Sequence, residues 1–293
     1  MGDAVGSWEK RFCRNQNSHV LFIAIAPIIL TNANGKSYEP LTKYCLKDFN
    51  LTFNYRLILR RKELGVLSPV RNGKRSAAFF DLDNTLIQGS SLFYLIRGMV
   101  TKGIVRRRSI ARFGLAHMRY AKHGEENLQL MSQITSRALQ FVAGKNQSAL
   151  LNVCEEIIRD FLPKKAFPLM KHRIQEHQML GHDTWLVTAA PSEIAEVVAR
   201  ELGMSGAIGT KIAVKHGHYL SELDNQPMHG LEKSHAVRNI AKSKGYNLQK
   251  SFAYSDSIND LPLLMTVGKP FTVNPNKELE RIAKKNRWPV LVA

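Results

Sequence analysis

Cysteine is scarce in this chain of 293 residues. The three cysteines, Cys13, Cys45 and Cys154, lie far apart, and none belongs to a Cys-x-x-Cys pair. Zinc sites and redox motifs need cysteines at short spacing, and disulfide frameworks need a dense, even set. The sequence therefore indicates neither kind of site, and it favours a reducing, cytoplasmic setting.

Acidic residues are also few compared with basic ones. The chain has 42 Lys and Arg but 24 Asp and Glu, which gives a formal net charge of +18 at pH 7. Such an excess favours anionic partners such as phosphorylated metabolites, nucleic acid or acidic membrane surfaces. No RNA-binding signature or aromatic stacking pattern accompanies the charge, so we expect no specific nucleic-acid partner. A weak contact with an anionic membrane stays open, and the sequence leaves the oligomeric state undetermined.

Long apolar runs are missing too, because the run Val20–Leu30 is too short to span a bilayer and contains Pro27. Its basic start and short apolar core would also fit a secretory signal or a membrane-surface anchor. The interpretation that we favour is a strand or helix packed on the body, or a weakly ordered extension. Residues 1–75 form this extension of uncertain structure, which ends in the linker-like "RNGKRS".

Apolar runs that end on polar residues dominate the chain from Ser76 onward. The segments "AAFFDLD", "TWLVTAA", "SFAYSD" and "PFTVN" are predicted strands, and helical patterns such as "SEIAEVVARELG" lie between them. This alternation is typical of βαβ units, so the sequence predicts an α/β fold with a parallel sheet and helices on both faces. The segment "GAIGTKIAVKHGHYLSEL" is a predicted hairpin appended to this sheet.

A helical insert separates the first two predicted strands. Residues 91–182 are rich in Leu, Met, Ala and Arg at helical spacing, whereas residues 76–90 and 183–293 form the predicted core domain. We expect the insert to cap the carboxyl edge of the sheet. Within it, residues 101–124 carry seven Lys or Arg and no acid. This segment predicts a solvated basic helix, with membrane contact or attraction of phosphate esters as the functional alternative.

Two pairs of acidic residues follow predicted strands. Asp81 and Asp83 come after the first strand, and Asp256 and Asp260 follow "FAYS". Because ligand sites of open α/β sheets lie at the carboxyl ends of the strands, both pairs are predicted to line one cleft. Close carboxylates repel each other, and hard oxygen ligands suit Mg²⁺. The alternative is a simple strand-to-turn junction, in which Asp83 or Asn84 bonds its own backbone.

Groups that suit phosphate lie between the two acidic pairs. The hydroxyl of Thr188 and the backbone N–H groups that follow it, beginning at Ala189, precede a predicted helix, a position that favours phosphate oxygens. Alternatively, Thr188 or Ser192 simply caps that helix. Lys233 lies near another predicted helix start, where a lone lysine is ordinarily a solvated surface group.

In chain order, these segments resemble the haloacid dehalogenase superfamily of phosphatases. Its motifs are matched by "DLDNT", Thr188, Lys233 and "DSIND", and the match covers residues 76–293. The insert resembles the cap of the phosphoserine-phosphatase-like branch, and "VTAAP" and "YSDSINDLPLL" are similar to its actinobacterial members. The resemblance implies a Rossmann-like parallel sheet with a helical cap inserted after the first strand. It also implies a phosphoric monoester hydrolase.

The resemblance also implies roles for individual residues. Asp81 would be the nucleophile that forms an aspartyl phosphate, and Asp83 would act as general acid and base. Mg²⁺ would be held by Asp81, the backbone carbonyl of Asp83 and Asp256.

Other residues would serve the phosphoryl group. Thr188, Ala189 and Lys233 would bind its oxygens, and Asn259 and Asp260 would support the phosphate and the waters of the metal.

The expected substrate is a small phosphorylated metabolite, with phosphoserine as one candidate. Arg137 matches the cap arginine that grips the substrate carboxylate in the family, or it is an ordinary exposed helix residue. However, Ser90 stands where phosphoserine phosphatases carry the glutamate that recognises the ammonium group. The alternative function is hydrolysis of a lipid-related or other anionic phosphoester at a membrane surface.

Overall fold

The computed structural model describes residues 75–105 and 128–293. The apolar run Val20–Leu30 and most of the basic segment 101–124 lie outside the described residues. None of the described helices is long and apolar enough to cross a membrane.

Strands and helices alternate along the described chain. The strands are β1 (Ala77–Phe80), β2 (Asp183–Pro191), β3 (Gly206–Thr210), β4 (Ile212–Lys215), β5 (His218–Leu223), β6 (Phe252–Ser255), β7 (Lys269–Val273) and β8 (Val290–Leu291). The helices are α1 (Ser91–Thr101), α2 (Leu128–Val142), α3 (Gln147–Lys165), α4 (Pro168–Met179), α5 (Ser192–Glu201), α6 (Leu231–Lys244), α7 (Leu261–Leu264) and α8 (Lys277–Asn286). Short 3₁₀ turns lie at Leu248–Lys250 and Ile258–Asp260.

The main sheet has six strands in the order β3-β2-β1-β6-β7-β8, and every neighbouring pair is parallel. The predicted α/β fold with a parallel sheet is confirmed. Phe80 pairs with Leu186 on one side and with Tyr254 on the other. The carboxyl ends of β2, β1 and β6 therefore lie side by side, and these ends carry the predicted phosphate and carboxylate groups.

The sheet is buried on both faces. Successive residues of β1 face opposite sides, so Phe80 packs in one apolar cluster with Leu186 and Tyr254, whereas Phe79 packs in a second cluster with Val187. Helices from the stretch between β1 and β2, together with α5, cover the first face, and α6, α7 and α8 cover the second. Burial on both sides explains why the strands read as continuous apolar runs.

Four described helices, α1 to α4, lie between β1 and β2. The helices α1 and α3 approach closely at Gly98, where a Cβ atom would lie 2.4 Å from the Cγ2 atom of Ile157. The last helix, α4, packs against β1 and β2. A glycine at the crossing thus lets two helices of the predicted insert pack against each other.

The predicted hairpin was only partly correct. Its first segment, β3, is a parallel strand of the main sheet, whereas β4 and β5 form a separate two-stranded antiparallel sheet. The hairpin turns at His216 and Gly217, both with positive φ. Instead of extending the main sheet, β5 bonds the loop between α2 and α3, because Tyr219 N–H donates to the Lys145 carbonyl at 3.0 Å.

Candidate active site

Asp81 lies directly beyond β1, at the carboxyl edge of the sheet. Its N–H donates to the Tyr254 carbonyl at 3.0 Å, which extends the pairing of β1 with β6 by one residue. The side chain is buried, with 7% of the residue exposed. A buried carboxylate needs a partner, because burying an isolated charge is costly.

Lys233 supplies that partner. Its Nζ atom lies 2.6 Å from Asp81 Oδ1 and 2.7 Å from Asp260 Oδ2, and all three side chains are buried. Lysine is disfavoured in the first turn of a helix such as α6, because the helix dipole is positive there. The two ion pairs account for its presence. Burial would lower the pKa of Lys233, but Asp260 and Asp81 outweigh it and raise the pKa above its ordinary value.

More carboxylates converge here than one lysine can neutralise. Burial and repulsion from Asp81 and Asp260 raise the pKa of Asp256 to about 8. Burial likewise raises the pKa of Asp81 to about 7, although Lys233 opposes the shift. The site is therefore short of positive charge.

A divalent cation would relieve this shortage. Within the described residues, no group of three or more His, Cys, Asp or Glu side chains is arranged to hold a metal ion. The predicted metal site needs only two carboxylates, from Asp81 and Asp256, and one carbonyl. Mg²⁺ commonly binds through one or two carboxylates and keeps several waters, so the crowded pair fits this ion.

Asp83 bonds the start of helix α1. The N–H of Ser91, at the start of α1, donates to Asp83 Oδ1 at 2.9 Å, and the side chains of Ser90 and Ser91 also bond Asp83. Burial raises the pKa of Asp83, and these hydrogen bonds oppose the shift. The turn alternative applies to Asn84 instead, whose side chain accepts from Gly89 N–H at 3.0 Å.

Thr188 is buried near the end of β2, and its Oγ1 atom accepts from the N–H of Ala190 at 3.2 Å. Its hydrogen-bond donor is therefore available to a ligand. Ser192 does not act as the predicted helix cap, because it is the first residue of α5 and its hydroxyl donates to the Thr210 carbonyl at 3.3 Å.

The remaining predicted residues differ in their relation to this cluster. Asn259 lies on the turn before α7, next to Asp260, and its side chain donates to Ser257 Oγ at 3.2 Å. Arg137 lies on α2 with an exposed side chain, and no hydrogen bond or ion pair joins it to the aspartate cluster. The structure thus brings together Asp81, Lys233 and Asp260, with Asp256 close by, but not Arg137.

Three further polar residues form hydrogen bonds with the predicted site residues, and the sequence reasoning missed them. Buried Thr85 donates to Asp256 Oδ1 at 3.4 Å, and buried Ser255 donates to Asp260 Oδ2 at 2.8 Å. Thr210 contacts the segment after Thr188. Thr85 and Ser255 lie within the motifs "DLDNT" and "YSD", so adjacency to the acids was an available signal, whereas nothing local marks Thr210.

Comparison with known proteins supports the family resemblance. Residues 78–265 match the haloacid dehalogenase-like hydrolase family. The phosphoserine phosphatase SerB1 of Mycobacterium tuberculosis is 36% identical over 215 residues, which are 73% of this chain and 70% of that protein. The histidinol-phosphatase of Neisseria meningitidis serogroup C is 28% identical over 221 residues, or 74% of this chain and 98% of that protein.

A solved structure shows the same fold. The crystal structure of a protein with unknown function from Bordetella pertussis Tohama I matches with a TM-score of 0.65 and 27% identity, over 75% of this chain and 99% of that chain. The predicted resemblance is confirmed, and the chain belongs to the haloacid dehalogenase-like hydrolase family.

Proposed function

We propose that the protein is a Mg²⁺-dependent phosphomonoester hydrolase that acts through an aspartyl phosphate on Asp81. The observation that supports this most is the buried Asp81–Lys233–Asp260 arrangement at the carboxyl edge of the sheet. It places a carboxylate nucleophile beside a fixed positive charge, where a dianionic phosphate would otherwise be repelled.

The first step is attack by an Asp81 carboxylate oxygen on phosphorus. The ester P–O bond breaks, and Asp83 gives its proton to the leaving alkoxide. In the second step, Asp83 takes a proton from water as the water oxygen attacks phosphorus, and the Asp81–phosphate bond breaks. The bond from the Ser91 N–H fixes one carboxylate oxygen of Asp83, a residue distinct from the nucleophile, as these two duties require.

The other groups act on the phosphoryl oxygens. Thr188 offers a hydroxyl, Ala189 an N–H and Lys233 an ammonium, and Asn259 supports the phosphate from the facing turn. Asp260 holds Lys233 in place. Mg²⁺ bound by Asp81, Asp256 and the Asp83 carbonyl would neutralise the repulsion between phosphate and attacking carboxylate.

The proposed substrate is a small phosphorylated metabolite. Two relatives are named for such esters, phosphoserine and histidinol phosphate. Phosphoserine carries a carboxylate, but the exposed Arg137 is not joined to the cluster. Histidinol phosphate has no carboxylate to be recognised, so it is tested beside phosphoserine. The membrane-surface alternative depends on the basic segment 101–124, most of which lies outside the described residues.

The test is phosphate release by purified protein from phosphoserine, histidinol phosphate, phosphoglycerate and p-nitrophenyl phosphate, with phosphatidic acid in vesicles as the lipid arm. We expect turnover of a small ester with Mg²⁺, loss with EDTA and recovery when Mg²⁺ is restored. Acid quenching with a ³²P-labelled substrate should leave the label on Asp81. No hydrolysis of any ester, or a label on another residue, would overturn the proposal.

A further inference from the structure

Thr210 joins two segments of the candidate active site. Its Oγ1 atom donates to the Ala189 carbonyl at 2.8 Å and accepts from the N–H of Met228 at 3.0 Å. Only 6% of Thr210 is exposed. One buried hydroxyl therefore donates a hydrogen bond to the segment after Thr188 and accepts one from the segment that leads to Lys233.

The first contact controls Thr188. The carbonyl of Ala189 and the N–H of Ala190 belong to one peptide unit, which is planar. Thr210 fixes the carbonyl end of this unit, and the N–H end donates to Thr188 Oγ1 at 3.2 Å. Holding one end orients the other, so Thr210 sets the position of the Thr188 hydroxyl without touching it.

Gly209 allows this approach. A Cβ atom at this position would lie 2.7 Å from the Ala190 carbonyl oxygen and 2.7 Å from the Cα of Ser192. Contacts this short are with backbone, which cannot rotate away. The requirement at Gly209 is therefore for space, because the end of β2 after Thr188 passes close to the end of β3.

The second contact reaches toward Lys233. Met228 is buried and lies two residues before Gly230. Gly230 has a φ of 54° and directly precedes Leu231, the first residue of α6. Lys233 follows in the first turn of that helix. The same hydroxyl thus anchors the chain on both sides of the proposed phosphate site.

We propose that Gly209 and Thr210 are positioning residues that shape the end of β2 at Thr188, where phosphate would bind, and hold it in register with Lys233. The inference rests on the proposed function, since it names what positions the groups of that site. It predicts that losing the hydroxyl weakens phosphate binding, beyond any effect on stability.

The principal variant is Thr210→Val, which keeps the shape of threonine but removes the hydroxyl. Thr210→Ser, which keeps the hydroxyl, is the rescue variant. The matched control is Thr272→Val, because Thr272 is a fully buried threonine of β7 whose hydroxyl donates to the Pro289 carbonyl at 3.3 Å. Gly209→Ala tests the close approach independently, and it decides the question if Thr210→Val does not fold.

The measurements are kcat and KM for p-nitrophenyl phosphate, the Kd of inorganic phosphate, and the unfolding midpoint. We expect Thr210→Val and Gly209→Ala to weaken phosphate binding and lower kcat/KM at least about tenfold, Thr210→Ser to stay within about threefold, and Thr272→Val to change only the unfolding midpoint. Unchanged phosphate affinity in folded Thr210→Val and Gly209→Ala would overturn the inference.

Amide hydrogen exchange provides a readout that does not depend on catalysis. In Thr210→Val, exchange should rise in peptides covering residues 186–193 and 226–234 but not in β7 and β8. If the wild-type protein hydrolyses no ester, the proposed function fails, yet the exchange data still test the positioning role. Unchanged exchange in both peptides would mean that Thr210 does not hold the end of β2 in place.

Discussion

Two polar networks that differ in charge lie next to strands β1 and β6. At the carboxyl edge of the sheet, Lys233 pairs with Asp81 and Asp260. Against a face of the same strands, His177 of α4 shares hydrogen bonds with the Tyr254 hydroxyl and with His182, both at 2.9 Å. The first network and His177 are buried, whereas His182 is partly exposed, and only the first network is built from ions.

In the histidine network the pKa values of His177 and His182 are both lowered, chiefly by burial, which favours the neutral rings. Burial, together with the nearby His182, Arg173 and Lys269, lowers the pKa of His177 to about 3. The ring also packs edge-on against Phe252, with 4.5 Å between ring centroids.

The contrast with the edge of the sheet is informative. There, burial is the largest cause of the raised pKa values of Asp81 and Asp256, and repulsion between neighbouring carboxylates adds to it. Strongly perturbed carboxylates in a cleft are typical of reactive sites, whereas a closed neutral network serves packing.

The largest expected effect is a loss of activity when the ionic network is changed but not when the histidine network is changed. Asp81→Asn keeps the shape of the side chain but cannot form an aspartyl phosphate, so turnover should fall at least about a thousandfold while the protein stays folded. His177→Gln should retain kcat within a few fold. Steady-state kinetics and circular dichroism on both variants check this, and substantial hydrolysis by folded Asp81→Asn would refute covalent catalysis at this residue.

The second prediction concerns stability. Lys233→Met removes the only side-chain cation that the described structure pairs with Asp81 and Asp260, so the free energy of unfolding should fall by about 3–5 kcal/mol. Urea denaturation measures the loss. The control is Lys284→Met, which breaks an exposed pair with Glu280 and should change stability little. Equal effects of the two substitutions would contradict the assignment of a buried ionic core.

The third prediction uses pH. The folded protein keeps His177 neutral from its ordinary pKa of 6.5 down to about 3, whereas the unfolded chain takes up a proton in that window. His177 should therefore lower stability as the pH drops below about 6.5, by up to about 1.4 kcal/mol per pH unit. Asp81 and Asp256 act in the opposite direction, because their raised pKa values let the folded protein take up protons in the same window.

His177→Gln should remove the contribution of this residue, so the variant should become more stable relative to the wild type as the pH falls from 7 to 4.5. His172→Gln, on an exposed position of the same helix, serves as the control. The measurement is the unfolding free energy from pH 7 to 4.5. A variant that retains the full wild-type slope would show that His177 is not the group responsible.

The smallest expected effect concerns substrate choice. Ser90 bonds Asp83 and offers no carboxylate to a substrate ammonium group. A missing charge-assisted hydrogen bond is worth about 1.5–3 kcal/mol, so kcat/KM for phosphoserine should exceed that for phosphoglycerate by less than about tenfold.

Ser90→Glu should widen this ratio. Because the new carboxylate would lie beside Asp83, we also expect a lower kcat for both substrates. Kinetics with both compounds at saturating Mg²⁺ provide the measurement. A strong native preference for phosphoserine would show that another acidic group recognises the ammonium.

Local patterns in the sequence determined four strands of the main sheet and the acids that follow two of them. The strands β1, β2, β6 and β7 are short apolar runs, and burial on both faces produces that pattern directly. Because parallel strands bring their carboxyl ends to one edge, Asp81 and Asp256 could be assigned to one cleft without a structure. The order of four motifs was enough to indicate the family.

Only the tertiary structure decided which distant groups meet. Lys233 is 152 residues from Asp81, and His177 is 77 residues from Tyr254, so no local pattern records either pair. The same limit applies to β3, whose place beside β2 separates it from the predicted hairpin, and to the hydroxyl of Thr210. The hydrophobic periodicity of the sequence indicates which side of a helix or strand is buried. Which residues that side contacts depends on how distant elements pack together.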